Sequence, residues 1–234
     1  WWSMAGVGLL MGAGQFGLLF WAMQNDISAG MASLVIQAQV FFTIIMSMFL
    51  YHERARALQF IALTLAAIGY VVVAWHSATD THGAVTILGL LTVLLAAFSW
   101  ACANLLVRSV GRVNMLGFMV WSSVYAVVVL LGLSLMLEGP NAIGNALEQA
   151  SWAGWLAVLW QALGNTLFGF GVWNWLLARH PAVVVTPTAL LVPVFGMVSS
   201  AWLLNEALPL WKLVATGLVL GGLALNIYAS KRRR

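Results

Sequence analysis

The side chains able to do chemistry in this sequence are few, and they are chiefly neutral amides inside long apolar runs: Gln15, Gln37, Gln39, Asn104, Gln161 and Asn165. An amide surrounded by hydrocarbon is costly until it finds a partner on another helix, a water or a ligand, so intramembrane polar groups are the first candidates for function. Aromatic rings accompany them: Phe41 follows Gln37, Trp100 precedes Asn104 and Phe168 follows Asn165. All four histidines, His52, His76, His82 and His180, fall in loops or at the ends of apolar runs, as do the six acids. No Ser–His pair, metal cluster or carboxylate dyad is then expected at membrane depth, which weighs against an enzyme, a metal site or a cofactor.

The elements that must hold these groups follow from composition. The 234 residues are 63% hydrophobic and 7% charged, with a mean hydropathy of +0.97. A soluble domain carries about 25% charged residues to solvate its surface, so this chain is expected to be an all-α integral membrane protein. Nucleic-acid binding, soluble catalysis and a disulfide scaffold are set aside, the last because Cys102 is the only cysteine. Eight apolar runs read as transmembrane helices: A (Ser3–Met23), B (Ala29–Tyr51), C (Leu58–Trp75), D (Ala84–Val107), E (Met115–Leu137), F (Trp152–Ala178), G (Ala182–Leu204) and H (Leu210–Ala229). Eight spans place Arg54, Arg56, Arg108, Arg112, Arg179 and the tail Lys231 to Arg234 on one side, and Lys212 alone on the other. By the positive-inside bias the Arg-rich side is cytoplasmic, and both termini face it. The bilayer is therefore one partner, and the basic balance reports orientation.

Helical geometry sorts the polar groups by face. Gln37 and Gln39 stand about 200° apart around a helix and cannot share one cavity. Gly30, Ser33, Gln37 and Phe41 form one stripe of B, whereas Gln39 lies with Val35, Ile36 and Thr43. Gln37 is the cavity candidate and Gln39 is assigned an interhelical hydrogen bond. Gln15 stands near the middle of A; Trp100 and Asn104 share a face of D; Gln161, Asn165 and Phe168 share one of F. For each amide, ligand contact and a helix-to-helix bond are equally good readings. Trp100 suits a cavity wall or a packed core ring. Pro187 and Pro193 should kink or unwind G, as a hinge or as a static bend. Glu53 and Glu206, at span ends, are read as structural groups complementing the helix that follows each. The Gly8/Gly12 and Gly217/Gly221 spacings fit bundle packing or a homodimer.

An offset of 153 superposes B and C on G and H, matching Phe42 with Phe195, Glu53 with Glu206, Ala62 with Ala215, Leu65 with Leu218 and Gly69 with Gly222. B is the second span and G the seventh, so the copies enter the membrane from opposite sides. Such an inverted repeat is a transporter signature. It divides the chain into residues 1–83, the last three helices of a first repeat, and 84–234, a five-helix second repeat. By this count two spans of about 65 residues in all would precede Trp1.

Three stretches carry a family resemblance: AGMASLVIQAQVFFTIIMSMFLYHE from Ala29 to Glu53, AAFSWACAN from Ala96 to Asn104, and LLVPVFGMVSSAWLLNE from Leu190 to Glu206. They resemble the EamA branch of the drug/metabolite transporter superfamily, and within it bacterial inner-membrane exporters of cysteine-pathway metabolites such as O-acetylserine and cysteine. The resemblance implies ten helices in two inverted halves around a central cavity, of which this sequence holds eight. It implies a secondary exporter of a small polar, amino-acid-like metabolite working by alternating access, and it favours the cavity wall for Trp100. A channel or a structural membrane subunit is the alternative, and an intramembrane enzyme the weakest reading.

Overall fold

A computed structural model of the chain describes residues 1–52, 57–79, 85–110, 114–169, 172 and 191–231. Every regular element among them is helical, and the one extended pairing is an isolated bridge between Ile27 and Val85. Helices satisfy their own backbone hydrogen bonds, which a lipid environment demands. Six helices are long and apolar enough to cross a membrane: Trp2–Gln24, Ala29–Leu50, Ala57–Ala78, Ile87–Val110, Gly117–Met136 and Leu210–Ala229. They correspond to A to E and H, so the protein is a multi-pass helical membrane protein. A shorter apolar helix, Leu191–Leu203, occupies the end of G. Exposed large apolar side chains such as Phe49, Trp75 and Met136 suit a surface solvated by acyl chains.

Two compact units are present, Trp1–Leu130 with Leu190–Arg234, and Leu131–Ala189. In the first, span A is α1 (Trp2–Gly8), a π-helical segment π1 (Leu9–Gly17) and α2 (Leu18–Asn25). Span B is two helices, α3 (Ala29–Val35) and α4 (Ala38–Leu50). The amides of Gln37, Gln39 and Val40 bond the carbonyls three residues back, at 3.2, 3.2 and 3.1 Å, which tightens the chain into a turn between them. Then come α5 (Ala57–Thr79), α6 (Ile87–Val110), the start of α7 (Met115–Leu137) and, after the second unit, two helices named below. Met31, Leu34, Val35, Phe41, Val73, Val93, Ala96 and Ala97 are among the residues of the shared core.

The second unit takes the end of α7 into α8 (Pro140–Glu148), α9 (Trp152–Leu159) and a second π-helical segment, π2 (Trp160–Gly169). α8 replaces what the sequence reads as a plain loop between E and F. Its start is explained by Gly139 at φ 82° and Pro140 at the first helical position, where a missing N–H costs nothing. Ser151 caps α9 by accepting from Gly154 N at 3.1 Å.

The last helices of the first unit are α10 (Leu191–Leu203) and α11 (Leu210–Lys231). Pro193, the third described residue of α10, is buried. Among the described residues span B is broken between α3 and α4, although it contains no proline. Pro187, Glu53, the end of F and the start of G lie outside the described residues.

α5 and α11 pack along one another through small residues. A β-carbon on Gly69 would stand 3.1 Å from the Ala215 carbonyl, and one on Gly222 would stand 2.7 Å from that of Ala62. The contact is reciprocal under the 153-residue offset: Gly69 corresponds to Gly222 and Ala62 to Ala215. Gly8 and Gly12 lie against Ser122 and Ala126 of α7, so their spacing serves packing inside the chain. Gly221 faces Leu65, and Gly217 has open space around it.

Candidate functional site

The amides of the first unit divide into bonded and unbonded. Asn104 Nδ2 of α6 donates to Gln39 Oε1 of α4 at 2.9 Å, the interhelical bond that the helical face assigns to Gln39. Asn104, grouped by sequence with the cavity residues, is its partner. Gln37, in the turn between α3 and α4, is 6% exposed, and its side chain makes no hydrogen bond with the described residues. Gln15 in π1 is 4% exposed, and its Oε1 has no partner.

Depth links Gln15 and Gln37. Gln15 lies nine residues before Gln24, where its span ends, and Gln37 lies eight after Ala29, where the next begins. Both are then about 12–14 Å from the same end of the bundle, near its middle. Local backbone is irregular at each, a π-helical segment around Gln15 and the tightened turn at Gln37. Ser99 Oγ of α6 donates to the Leu10 carbonyl of π1 at 2.8 Å, feeding a hydrogen bond into that irregular ladder. Trp100 is half-buried against the core cluster and Phe41 is buried within it. The upper part of the polar stripe of B faces protein: Ser33 lies against Gly196 of α10, and the Gly30 amide is taken by a carboxylate.

That carboxylate is Glu206, in the connection between α10 and α11. Its Oε2 accepts from Gly30 N at 3.1 Å, and its Oε1 accepts from the Ser28 hydroxyl and from Lys212 Nζ at 2.8 Å. Lys212 also donates to the Ala207 carbonyl at 3.0 Å and is 2% exposed. Glu206 thus complements the helix that follows it, as its place in sequence suggests, but through a cation in the first turn. It also caps α3, a helix more than 170 residues away. Burial pulls its carboxyl pKa up. The Lys212 ammonium, the Ser28 hydroxyl and the Gly30 amide outweigh that and hold it below the ordinary glutamate value.

A second clamp lies beside it. Thr86 Oγ1 donates to Asp26 Oδ1 at 2.9 Å, Thr86 N donates to Asp26 O at 2.7 Å, and Thr86 Oγ1 accepts from Gly89 N at 2.9 Å. The turn between spans A and B is therefore held to α6 on one side and to the α10–α11 connection on the other. At the opposite end, Arg108 stacks over Tyr51 at 4.3 Å, and Trp1 meets Trp121 edge-on at 5.7 Å.

In the second unit Asn165 Nδ2 donates to Gln161 Oε1 at 3.2 Å, so these amides share a face of π2 as expected. Thr166 Oγ1 bonds the Gln161 carbonyl five residues back, the longer reach of a π-turn.

The sequence pattern missed three polar groups. Lys212 reads as a loop charge, yet it is buried; the signal was a lysine two residues into a helix shortly after a glutamate. Asn226 of α11 is a further buried amide, bonded by Gln59 Nε2 at 3.5 Å. The Tyr70 hydroxyl in α5 is buried with no partner. Among the described residues no three His, Cys, Asp or Glu side chains gather as metal ligands would.

Known proteins extend this picture. The model of the EamA-like transporter family matches residues 1–75 and 87–228. A protein of Salmonella typhimurium strain LT2, named a probable amino-acid metabolite efflux pump, is 37% identical over 99% of this chain and 78% of its own length. A protein of Escherichia coli strain K12 with the same name is 34% identical over the same shares. A chain in a solved crystal structure superposes with a TM-score of 0.61 at 20% identity, covering 97% of this chain and 78% of that one, which speaks for the fold alone. With helices that cross a membrane and a family match over nearly all its length, the chain belongs to the EamA-like transporter family.

Proposed function

We propose that the protein exports small amino-acid-like metabolites, with O-acetylserine and cysteine as the first substrates to test, by alternating access in a bacterial inner membrane. The observation that carries this reading is the 37% identity, along 99% of the chain, to a protein named for amino-acid metabolite efflux. The geometry supports it. Irregular backbone at mid-depth in two consecutive spans, each with a buried amide, is how transporter helices present polar groups to a solute. Gln37 and Trp100 are the residues of the first unit proposed to meet the solute, and Gln161 and Asn165 are those of the second unit taken by itself; Pro187 and Pro193 are the proposed hinges of G.

Two inverted repeats, residues 1–83 and 84–234, supply the alternation. The reciprocal Gly69–Ala215 and Gly222–Ala62 contacts and the two matched stretches of the family model support that division. Both termini are assigned to the cytoplasm from the nine-to-one division of basic residues. Lys212, the single exception, is neutralised by Glu206. The test is counterflow of labelled O-acetylserine and cysteine into proteoliposomes holding the full-length transporter. Saturable exchange supports a carrier, and flux that rises without saturating supports a pore.

A further inference from the structure

Two buried polar atoms among the described residues of the first unit lack a hydrogen-bond partner, the Tyr70 hydroxyl and the Gln15 amide oxygen, and only the second stands beside irregular backbone. Gln15 is 4% exposed, and its Oε1 has no hydrogen-bond partner. An amide kept for packing looks different: Gln39, one span away, closes on Asn104 at 2.9 Å. A buried acceptor with no donor gives up its hydration for no gain, which argues that its partner arrives from outside the chain. Two further observations bear on it. Gln15 stands inside π1, and π-helical turns recur at functional sites. It also shares its depth with Gln37, a buried amide whose side chain makes no hydrogen bond with the described residues, at the break in the neighbouring span.

The chemistry of the orphan atom selects the ligand. An amide oxygen only accepts, so it favours a solute group rich in N–H or O–H donors and disfavours a bare carboxylate. We propose that Gln15 is a specificity-determining residue that contacts substrate, its Oε1 accepting a hydrogen bond from the primary ammonium of the amino-acid-like solute. The assignment rests on the export reading and adds to it the group that distinguishes a free amine from a blocked one.

O-acetylserine and N-acetylserine are isomers that differ in whether the ammonium is free. Counterflow of each is measured with the full-length transporter in proteoliposomes, in mildly acidic buffer where the acyl group does not migrate, for wild type and Gln15→Met. Wild type should show a lower half-saturation for O-acetylserine than for N-acetylserine. Gln15→Met should raise the O-acetylserine value by about tenfold or more, as expected for losing a hydrogen bond to a charged group, and should leave N-acetylserine nearly unchanged. Its melting midpoint without substrate should equal or exceed that of wild type, since the orphan acceptor is gone. An unchanged half-saturation for O-acetylserine, or a midpoint below wild type, overturns the assignment while leaving export standing. A wild-type protein that carries neither isomer nor cysteine overturns both.

Discussion

Removing the Glu206 carboxylate should cost far more than losing a surface ion pair. In Glu206→Ala the Lys212 ammonium, 2% exposed, keeps the Ala207 carbonyl as its one hydrogen-bond acceptor among the described residues. The Ser28 hydroxyl and the Gly30 amide lose their acceptor at the same time. Breaking a buried pair by deleting one partner costs about 3–5 kcal/mol, because the remaining charge is left uncompensated. At roughly 2–4 °C per kcal/mol for a chain of this size, the apparent melting midpoint should fall by about 10 °C. Lys212→Met alone should cost less, since the carboxylate keeps Ser28 and Gly30. The double variant Glu206→Ala with Lys212→Met should be more stable than the sum of the single losses, by about 1 kcal/mol or more. Intrinsic tryptophan fluorescence during heating of the detergent-solubilised protein reads this out, helped by Trp211, whose ring lies 5.9 Å from Lys212 Nζ. A Glu206→Ala midpoint within about 2 °C of wild type, or strictly additive losses in the double variant, would refute the burial argument.

The pH dependence should carry the same signature. The Glu206 pKa is held below its ordinary value, so its contribution is complete above the unfolded-state value of about 4.3 and is lost as pH falls through the lower folded-state value. Melting of Glu206→Gln across the acid range should be flatter than wild type; parallel curves would contradict this. A Gln39→Leu and Asn104→Leu cycle should show a coupling of about 0.6 kcal/mol, with about 1.7 as the ceiling, and zero coupling in a folding assay would remove the interhelical bond from the account. Gly69→Leu and Gly222→Leu should each destabilise by about 1–3 kcal/mol or more through overpacking at the α5–α11 contact. A large asymmetry between them would speak against the reciprocal arrangement. A phosphatase reporter active only in the periplasm, fused after Arg234, should stay inactive; activity there would reverse the proposed orientation.

Much of this protein was legible without coordinates because hydropathy is additive along the chain. Transfer free energies summed over about 20 residues delimit a span, and A to E and H reappear within a few residues of where the sequence puts them. Helical periodicity is local too. It sufficed to separate Gln37 from Gln39 and to give the second an interhelical partner, now seen as Asn104. The offset that pairs Gly69 with Gly222 was visible as a pattern, although the contact each makes with the other copy's alanine was not. Tertiary structure alone decided which polar groups find partners, since that depends on where helices far apart in sequence cross. Nothing near Glu206 announces that it caps α3, nothing near Lys212 that it is buried, and nothing near Gln15 that its oxygen is left unpaired. Proline points to a break in G, whose residues before Leu191 lie outside those described, whereas proline-free B breaks at Gln37, which no local signal announces. Backbone irregularity inside a membrane is tolerated where neighbouring helices make room for it, and that room is a property of the packed bundle, not of any one span.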